Sequence, residues 1–274
     1  MIGISYHAGG LQDLPLEDVI KILADTGYDA IEMMCGPDAH IDSNTVTDER
    51  VQQVKKMVDD HNLTVSVVNP YRGGGLYQLA LEDQQKAVDH YAKLQDVAVG
   101  LEAGGVNFLT GYGGDKGDPF AWKLLIDVLN PICKRAESLD ITMNIHNHEA
   151  TTIDAPDKVT LLIQHVGSDN LRLLNDITNF YHLGTDIAKV TSQLAPLTTH
   201  CHVKGVKGMY PYSTFLIPGE EGDELDFHTF AATLGKSGYN KYISVETFSH
   251  MRKEKVKIAY NMMANTLRNL GLRN

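Results

Sequence analysis

The chain has 274 residues, 43% hydrophobic and 22% charged, with 24 Lys plus Arg against 35 Asp plus Glu for a net charge of −11. That balance is enough for one large core, excludes a disordered or collagen-like chain, and argues against a nucleic-acid partner, whose phosphates call for a basic surface. No apolar run approaches the roughly 18 residues of a membrane helix, Met1 to Gly10 lacks a basic and apolar leader, and Cys35, Cys133 and Cys201 form no CxxC pair, so a cytoplasmic protein with free thiols and no membrane contact is expected.

Taken along the chain, short apolar runs alternate with segments of helical spacing. The predicted strands are Ile2 to Tyr6, Tyr28 to Met34, Leu63 to Asn69, Val106 to Thr110, Ile141 to His146, Leu171 to Asp176, His200 to Lys204 and Tyr242 to Thr247. A helix follows each. The first opens near Leu14 and Pro15 and stops at Gly27; the second has Thr47 as N-cap and ends near His61 and Asn62. The others span Leu81 to Ala103, Pro119 to Leu139, Pro156 to Val166, Thr185 to Leu194, Phe227 to Leu234 and Arg252 to Leu270. Eight such units without a linker between them predict an α/β fold, a single (β/α)8 TIM barrel over residues 1–274. The competing doubly wound sheet would more often carry a glycine-rich phosphate loop after its first strand, where this chain reads Tyr6-His7-Ala8-Gly9-Gly10.

In such a barrel the working groups stand at the C-terminal strand ends. Here these are His7, Glu32, Asn69, His146 with His148, Asp176, His202 with Lys204, and Glu246. Alternation puts His146 and His148 on one face of their strand, and likewise His200, His202 and Lys204, or Ser244 and Glu246, on one face of theirs. Ionisable groups inside apolar strands are costly unless paired or coordinated. A divalent cation would satisfy the groups ending the last four strands together. Two carboxylates plus two imidazoles suit Mn²⁺, Co²⁺, Fe²⁺, Zn²⁺ or Ni²⁺, and Mg²⁺ less well.

At these residues the chain resembles the xylose-isomerase-like TIM barrels, which include sugar and sugar-phosphate isomerases and epimerases, inosose dehydratases and type 2 apurinic endonucleases. The resemblance runs from Ile2-Gly3-Ile4-Ser5 and Gly27-Tyr28-Asp29-Ala30-Ile31-Glu32 to Ile243-Ser244-Val245-Glu246. It is sharpest at His200-Cys201-His202-Val203-Lys204, at Asp176-Ile177-Thr178-Asn179-Phe180-Tyr181, and in the linker Gly222-Asp223-Glu224-Leu225-Asp226-Phe227. It implies a metal held by Glu, Asp, His and Glu, matched here by Asp176, His202 and Glu246. Where many relatives read Glu-Asn-His, this chain reads His146-Asn147-His148-Glu149. His146 in register, Glu149 reaching back from the loop, or three protein ligands and water are the alternatives, and register favours His146. The departure bears on the two-base mechanism of the family's ketose 3-epimerases, which uses the strand-five and strand-eight carboxylates.

The resemblance implies metal-dependent isomerisation or epimerisation of a small sugar or keto-sugar through an enediolate. Glu246 is then the base, with His148, Lys204 or Glu149 returning the proton and His7, Glu32, Asn69 and Asn107 holding hydroxyls. A dehydratase of a keto-sugar or inosose is the nearest rival, followed by an apurinic endonuclease and a catalytically silent barrel. Relatives commonly form homo-oligomers. Each residue also has a plainer reading. Glu32 can bond a neighbouring backbone or lysine group, and Lys204 can neutralise a buried acid where a cation beside it would instead lower its pKa. His182, Lys207 and His250 read as solvated, and Trp122, Phe180 and Tyr181 as packing. The runs Gly73-Gly74-Gly75 and Gly111-Tyr112-Gly113-Gly114 can close over a ligand or merely turn the chain, and only Arg72 and Lys116 flank them, a thin basis for a phosphorylated substrate.

Overall fold

The computed structural model describes residues 1–70, 75–111, 118–149, 151–247 and 253–274, with the backbone alone at 253 and 254. The expected Arg72, Gly73, Gly74, Lys116 and His250, and the predicted start of the last helix at Arg252, lie outside them.

The elements in chain order are β1 (Gly3–His7), α1 (Leu16–Thr26), β2 (Ala30–Cys35), α2 (Asp48–Asp60), β3 (Thr64–Pro70), α3 (Leu76–Glu82), α4 (Gln84–Gly100), β4 (Gly105–Leu109), α5 (Pro119–Ser138), β5 (Thr142–His146), α6 (Pro156–Val166), β6 (Leu171–Asp176), α7 (Ile177–His182), α8 (Ile187–Leu194), β7 (Thr198–Val203), β8 (Gly205–Lys207), β9 (Thr214–Leu216), α9 (Phe227–Lys236), β10 (Tyr242–Val245) and α10 (Lys253–Asn269). Eight strands close a parallel barrel in the order β1-β10-β7-β6-β5-β4-β3-β2, and β8 and β9 form a separate antiparallel hairpin. Closure is made by β1 on β10, with Gly3 opposite Tyr242 and Tyr6 opposite Val245. The chain ends tie the same seam: Ile2 N donates to the Leu272 carbonyl at 2.8 Å, and the Arg273 guanidinium grips Asp29. No helix among the described residues is long and apolar enough to cross a membrane.

Local chemistry explains the helix ends. Thr47 caps α2 by accepting from Arg50 N, as the sequence predicts. Gly27 ends α1 at φ +106, and a Cβ there would meet the Tyr260 hydroxyl at 2.7 Å, so glycine is required on two counts. The single helix expected over Leu81 to Ala103 is two. Asp83 is extended at φ −163, and its carboxylate accepts from Gln85 N and Lys86 N, so it caps a new helix instead of continuing the old one. Two elements go beyond the eight predicted units: α7, capped by Asp176, and the β8–β9 hairpin.

The two faces of the staves differ. Outward-facing Val68, Val106, Phe108, Met143, Ile145, Leu173, Cys201, Val203, Ile243 and Val245 pack under the helices in one apolar shell. The lumen is polar. Glu32 of β2 bonds Asn107 of β4 and His200 and His202 of β7, strands that are not neighbours in the sheet and meet only through the barrel interior. TIM barrels usually fill this space with branched aliphatic side chains.

Candidate metal centre

The ends of β5, β6, β7 and β10 bring His146, Asp176, His202 and Glu246 together, with one donor atom from each within 4.8 Å of the others. Asp176 is fixed by its neighbours. Its Oδ1 accepts from Asn179 N at the start of α7, and its backbone is clasped by the Asn147 amide, which accepts from Asp176 N at 2.8 Å and donates to its carbonyl at 2.9 Å. The DxxN segment of the sequence is therefore a helix cap as well as a site motif. His146 Nε2 lies 3.1 Å from Asp176 Oδ2, and the His146 and His202 rings meet edge to face at 5.0 Å.

His202 stands between two carboxylates, with Nε2 2.8 Å from Glu32 Oε2 and Nδ1 3.2 Å from Glu246 Oε2. Burial alone would lower its pKa, but the charges of Glu32 and Glu246 and their hydrogen bonds raise it to about 10. His146 goes the other way: burial outweighs its bond to Asp176 and pushes it down to about 4. Burial raises Asp176 and Glu246, yet the Lys204 ammonium holds Asp176 down at about 2 and Glu246 well below the carboxylate range. Lys204 Nζ bonds Asp176 Oδ2 and lies 2.7 Å from Glu246 Oε2. The two carboxylates keep its amine charged and raise its pKa in spite of burial, so the neutralising role weighed for Lys204 describes it here.

The remaining predicted residues divide into two groups. Glu32 and Asn107 are fully buried in the lumen. Glu32 spends both oxygens on protein donors: Oε1 accepts from Asn69 at 2.6 Å and Asn107 at 2.9 Å, and Oε2 is shared by His200 and His202. Its carboxylate stays well below the ordinary range because His202 and these bonds outweigh burial. This geometry leaves it no lone pair aimed at the mouth. His7 lies nearer the mouth, its ring 5.4 Å from that of His202, and buried Nδ1 has no partner among the described residues. Burial lowers its pKa and favours the neutral ring.

His148 and Glu149 form a second cluster beside the first, with His148 Nδ1 3.0 Å from Glu149 Oε2 and the His148 ring 5.7 Å from His146. Glu149 turns toward His182, whose Nε2 is 3.5 Å away, and is not a member of the set of four converging donors. His182, expected in solvent, is buried. It bonds Ser213 Oγ at 3.0 Å and stacks on Phe215, over which Lys204 Nζ also lies at 5.4 Å. Sequence reasoning did not assign roles to His182, His200 or Asn144. Only His200 carried a signal, its place two residues before His202 on the same strand face. Phe180 is core, as expected. The linker Gly222 to Phe227 is structural: Asp223 accepts from Val206 N, Gly219 N and Leu225 N, and Asp226 caps α9.

A family model described as xylose isomerase-like TIM barrel matches residues 20–266. Fructoselysine 3-epimerase of Escherichia coli O157:H7 is 22% identical over 244 residues, 86% of this chain and 87% of that protein. Inosose dehydratase of Clostridium beijerinckii is 24% identical over 138 residues, 46% of each. Among solved structures, the IolI protein with a bound zinc atom superposes with a TM-score of 0.79 at 15% identity, over 98% of this chain and 99% of that one.

Proposed function

The chain belongs to the xylose isomerase-like TIM barrels, and from that membership and its C-terminal mouth we propose that it is a divalent-metal-dependent isomerase or epimerase of a small sugar or keto-sugar. The observation that carries this reading is the convergence of His146, Asp176, His202 and Glu246 within 4.8 Å. The set fits a cation: two carboxylates supply negative charge, His146 is neutral at pH 7, and a bound cation would take the place of the Nδ1 proton of His202 while Glu32 accepts its Nε2 proton and orients the ring. Mixed oxygen and nitrogen donors suit manganese, cobalt, zinc, iron or nickel better than magnesium. A cation bound there would supply Lewis acidity toward a substrate carbonyl and the hydroxyl beside it.

This chain's own residues carry the proton steps. Glu246 has the most exposed side chain of the set, 17%, and Lys204 and His202 hold it ionised, so it meets substrate as a base. The half-buried His148 supplies the proton to be returned, and Lys204 Nζ neutralises Asp176 and Glu246. The partly buried ring of His7 and the amide of Asn69 meet substrate hydroxyls, while Glu32 and Asn107 act from behind the site by fixing His202. The relatives with sugar substrates support the substrate class. A cytoplasmic setting is consistent with three buried free cysteines.

The resemblance favours a second reading, a keto-sugar or inosose dehydratase: it implies a carboxylate where this chain has His146, and without it the first of the two bases an epimerase would use is gone. Metal analysis of protein purified without chelator, paired with NMR in D₂O over free keto-sugars, aldo-sugars and inososes, tests both. Stoichiometric transition metal with deuterium entering a product of unchanged mass supports the isomerase. Loss of water supports the dehydratase, and absence of metal and exchange overturns both.

A further inference from the structure

Beneath the metal centre, a column of neutral polar side chains runs down the lumen toward the N-terminal end of the barrel. Its hydrogen bonds have a single direction, and the anion at its top dictates that direction. Glu32 can only accept, so Asn107 must turn Nδ2 toward it, at 2.9 Å. The Asn107 carbonyl oxygen then faces Asn144, which must present its own Nδ2, also at 2.9 Å. That leaves Asn144 Oδ1 facing Thr199, whose hydroxyl donates at 2.7 Å. Asn107 and Asn144 are wholly buried. Thr199 is partly exposed at the wall of a cavity of about 680 Å³ at the other end of the barrel, lined also by Ser66, Thr142 and His200. Thr199, whose hydroxyl could donate or accept, is thereby set as the donor that closes the foot of the column.

We propose that Thr199, Asn144 and Asn107 are positioning residues that set the orientation of His202 from the opposite end of the barrel. The column delivers its N–H dipoles to Glu32 Oε1, leaving Oε2 to the imidazoles of His200, at 3.0 Å, and His202, at 2.8 Å. Each bond polarises the next, so the donor at the base strengthens the bond at the top. With Nε2 committed to Glu32, His202 is obliged to aim Nδ1 at Glu246 and the converging donors. Reversing the column would turn a carbonyl oxygen on Glu32 Oε1 and displace the carboxylate whose Oε2 holds the ring. The functional weight of this orientation rests on the metal-centre reading proposed above, but the orientation itself does not.

The test needs neither metal nor substrate. In histidine-labelled protein, the low-field imidazole proton between His202 Nε2 and Glu32 is observed by NMR and assigned by its loss in His202→Gln. In Thr199→Val, nearly isosteric at a partly exposed wall, the loss of positioning is expected to shift this resonance and let it exchange with solvent about tenfold faster, the fold-change of one hydrogen bond of ordinary size. Thr199→Ser keeps the donor and restores the wild-type signal. Thr142→Val, on the same cavity but bonded to the Gly104 carbonyl, leaves the signal unmoved. An unchanged resonance in Thr199→Val, an equal shift in Thr142→Val, or no rescue by serine would overturn the proposal. Metal binding by wild-type protein, measured separately, tests the functional reading whichever way the resonance behaves.

Discussion

Each barrel strand divides two environments. On β5, Met143 and Ile145 face the helices while Asn144 and His146 face the lumen; on β7, Cys201 and Val203 alternate with His200 and His202. The shell is held by apolar burial, which is non-directional and tolerates small rearrangements. The lumen is held by hydrogen bonds among buried groups, in which every donor must meet an acceptor and a single wrong atom leaves a charge or dipole unpaired. The difference teaches where each kind of substitution acts: shell changes are expected to move stability with little effect on chemistry, and mouth changes the reverse.

The largest expected effect breaks the shell. Phe108 is buried on β4 with its ring 6.1 Å from that of Tyr91, and Phe108→Ala should lower the free energy of unfolding by about 3–5 kcal/mol, read from urea denaturation, while the folded fraction keeps its turnover. On the other side of the divide, Glu246→Gln should slow exchange of substrate hydrogen with solvent by about 10³-fold and leave the urea midpoint nearly unchanged. Exchange at the wild-type rate would remove Glu246 from the role of base.

Tyr6 gives the shell a signature in pH. Burial raises its phenol to about 12, although the 2.5 Å bond to Thr247 opposes the shift. Because the folded pKa is raised above the unfolded value of about 10, the stabilisation is fully present below pH 10 and is lost as pH rises toward 12, by about 2–3 kcal/mol. Tyr6→Phe should flatten that part of the stability profile. A smaller change sharpens the mouth. His146→Glu restores the carboxylate that many relatives carry and adds a charge to the donor set, so divalent metal affinity measured by calorimetry should rise roughly tenfold. Smallest of all, Asp29→Asn at the seam breaks a partly exposed ion pair with Arg273 and should cost about 1 kcal/mol or less in a thermal melt.

Much of this division was legible in the sequence. Each predicted strand overlaps a stave of the barrel, with ends shifted by a residue or two, because β-branched runs alternating with helical spacing are strong signals. Asp176, His202, Glu246 and His146 could be named because alternation and their place at strand ends point them to one mouth. What escaped was set by contacts across the barrel. A carboxylate such as Glu32 looks the same in sequence whether it faces the mouth or is enclosed by four donors. The break at Asp83 depends on a side chain competing with the backbone for N–H groups, a local choice that periodicity does not register. The interior roles of Asn144 and His200 exist only once β5 and β7 have been brought around one axis, and His182 becomes a buried residue only when the β8–β9 hairpin supplies Ser213 and Phe215.

The pairing of β1 with β10 has a consequence during synthesis. The strand Gly3–His7 is made before every other stave, yet one of its edges has no partner until Tyr242–Val245 emerges. At the usual rate of translation that is a delay of roughly 10–50 s, in which a nearly complete curved sheet carries two open edges. An edge of this kind recruits foreign strands, so the last staves made determine how long the nascent chain needs shielding, and a fast ribosome or a waiting chaperone would raise the yield of closed barrels without changing any contact in the finished protein.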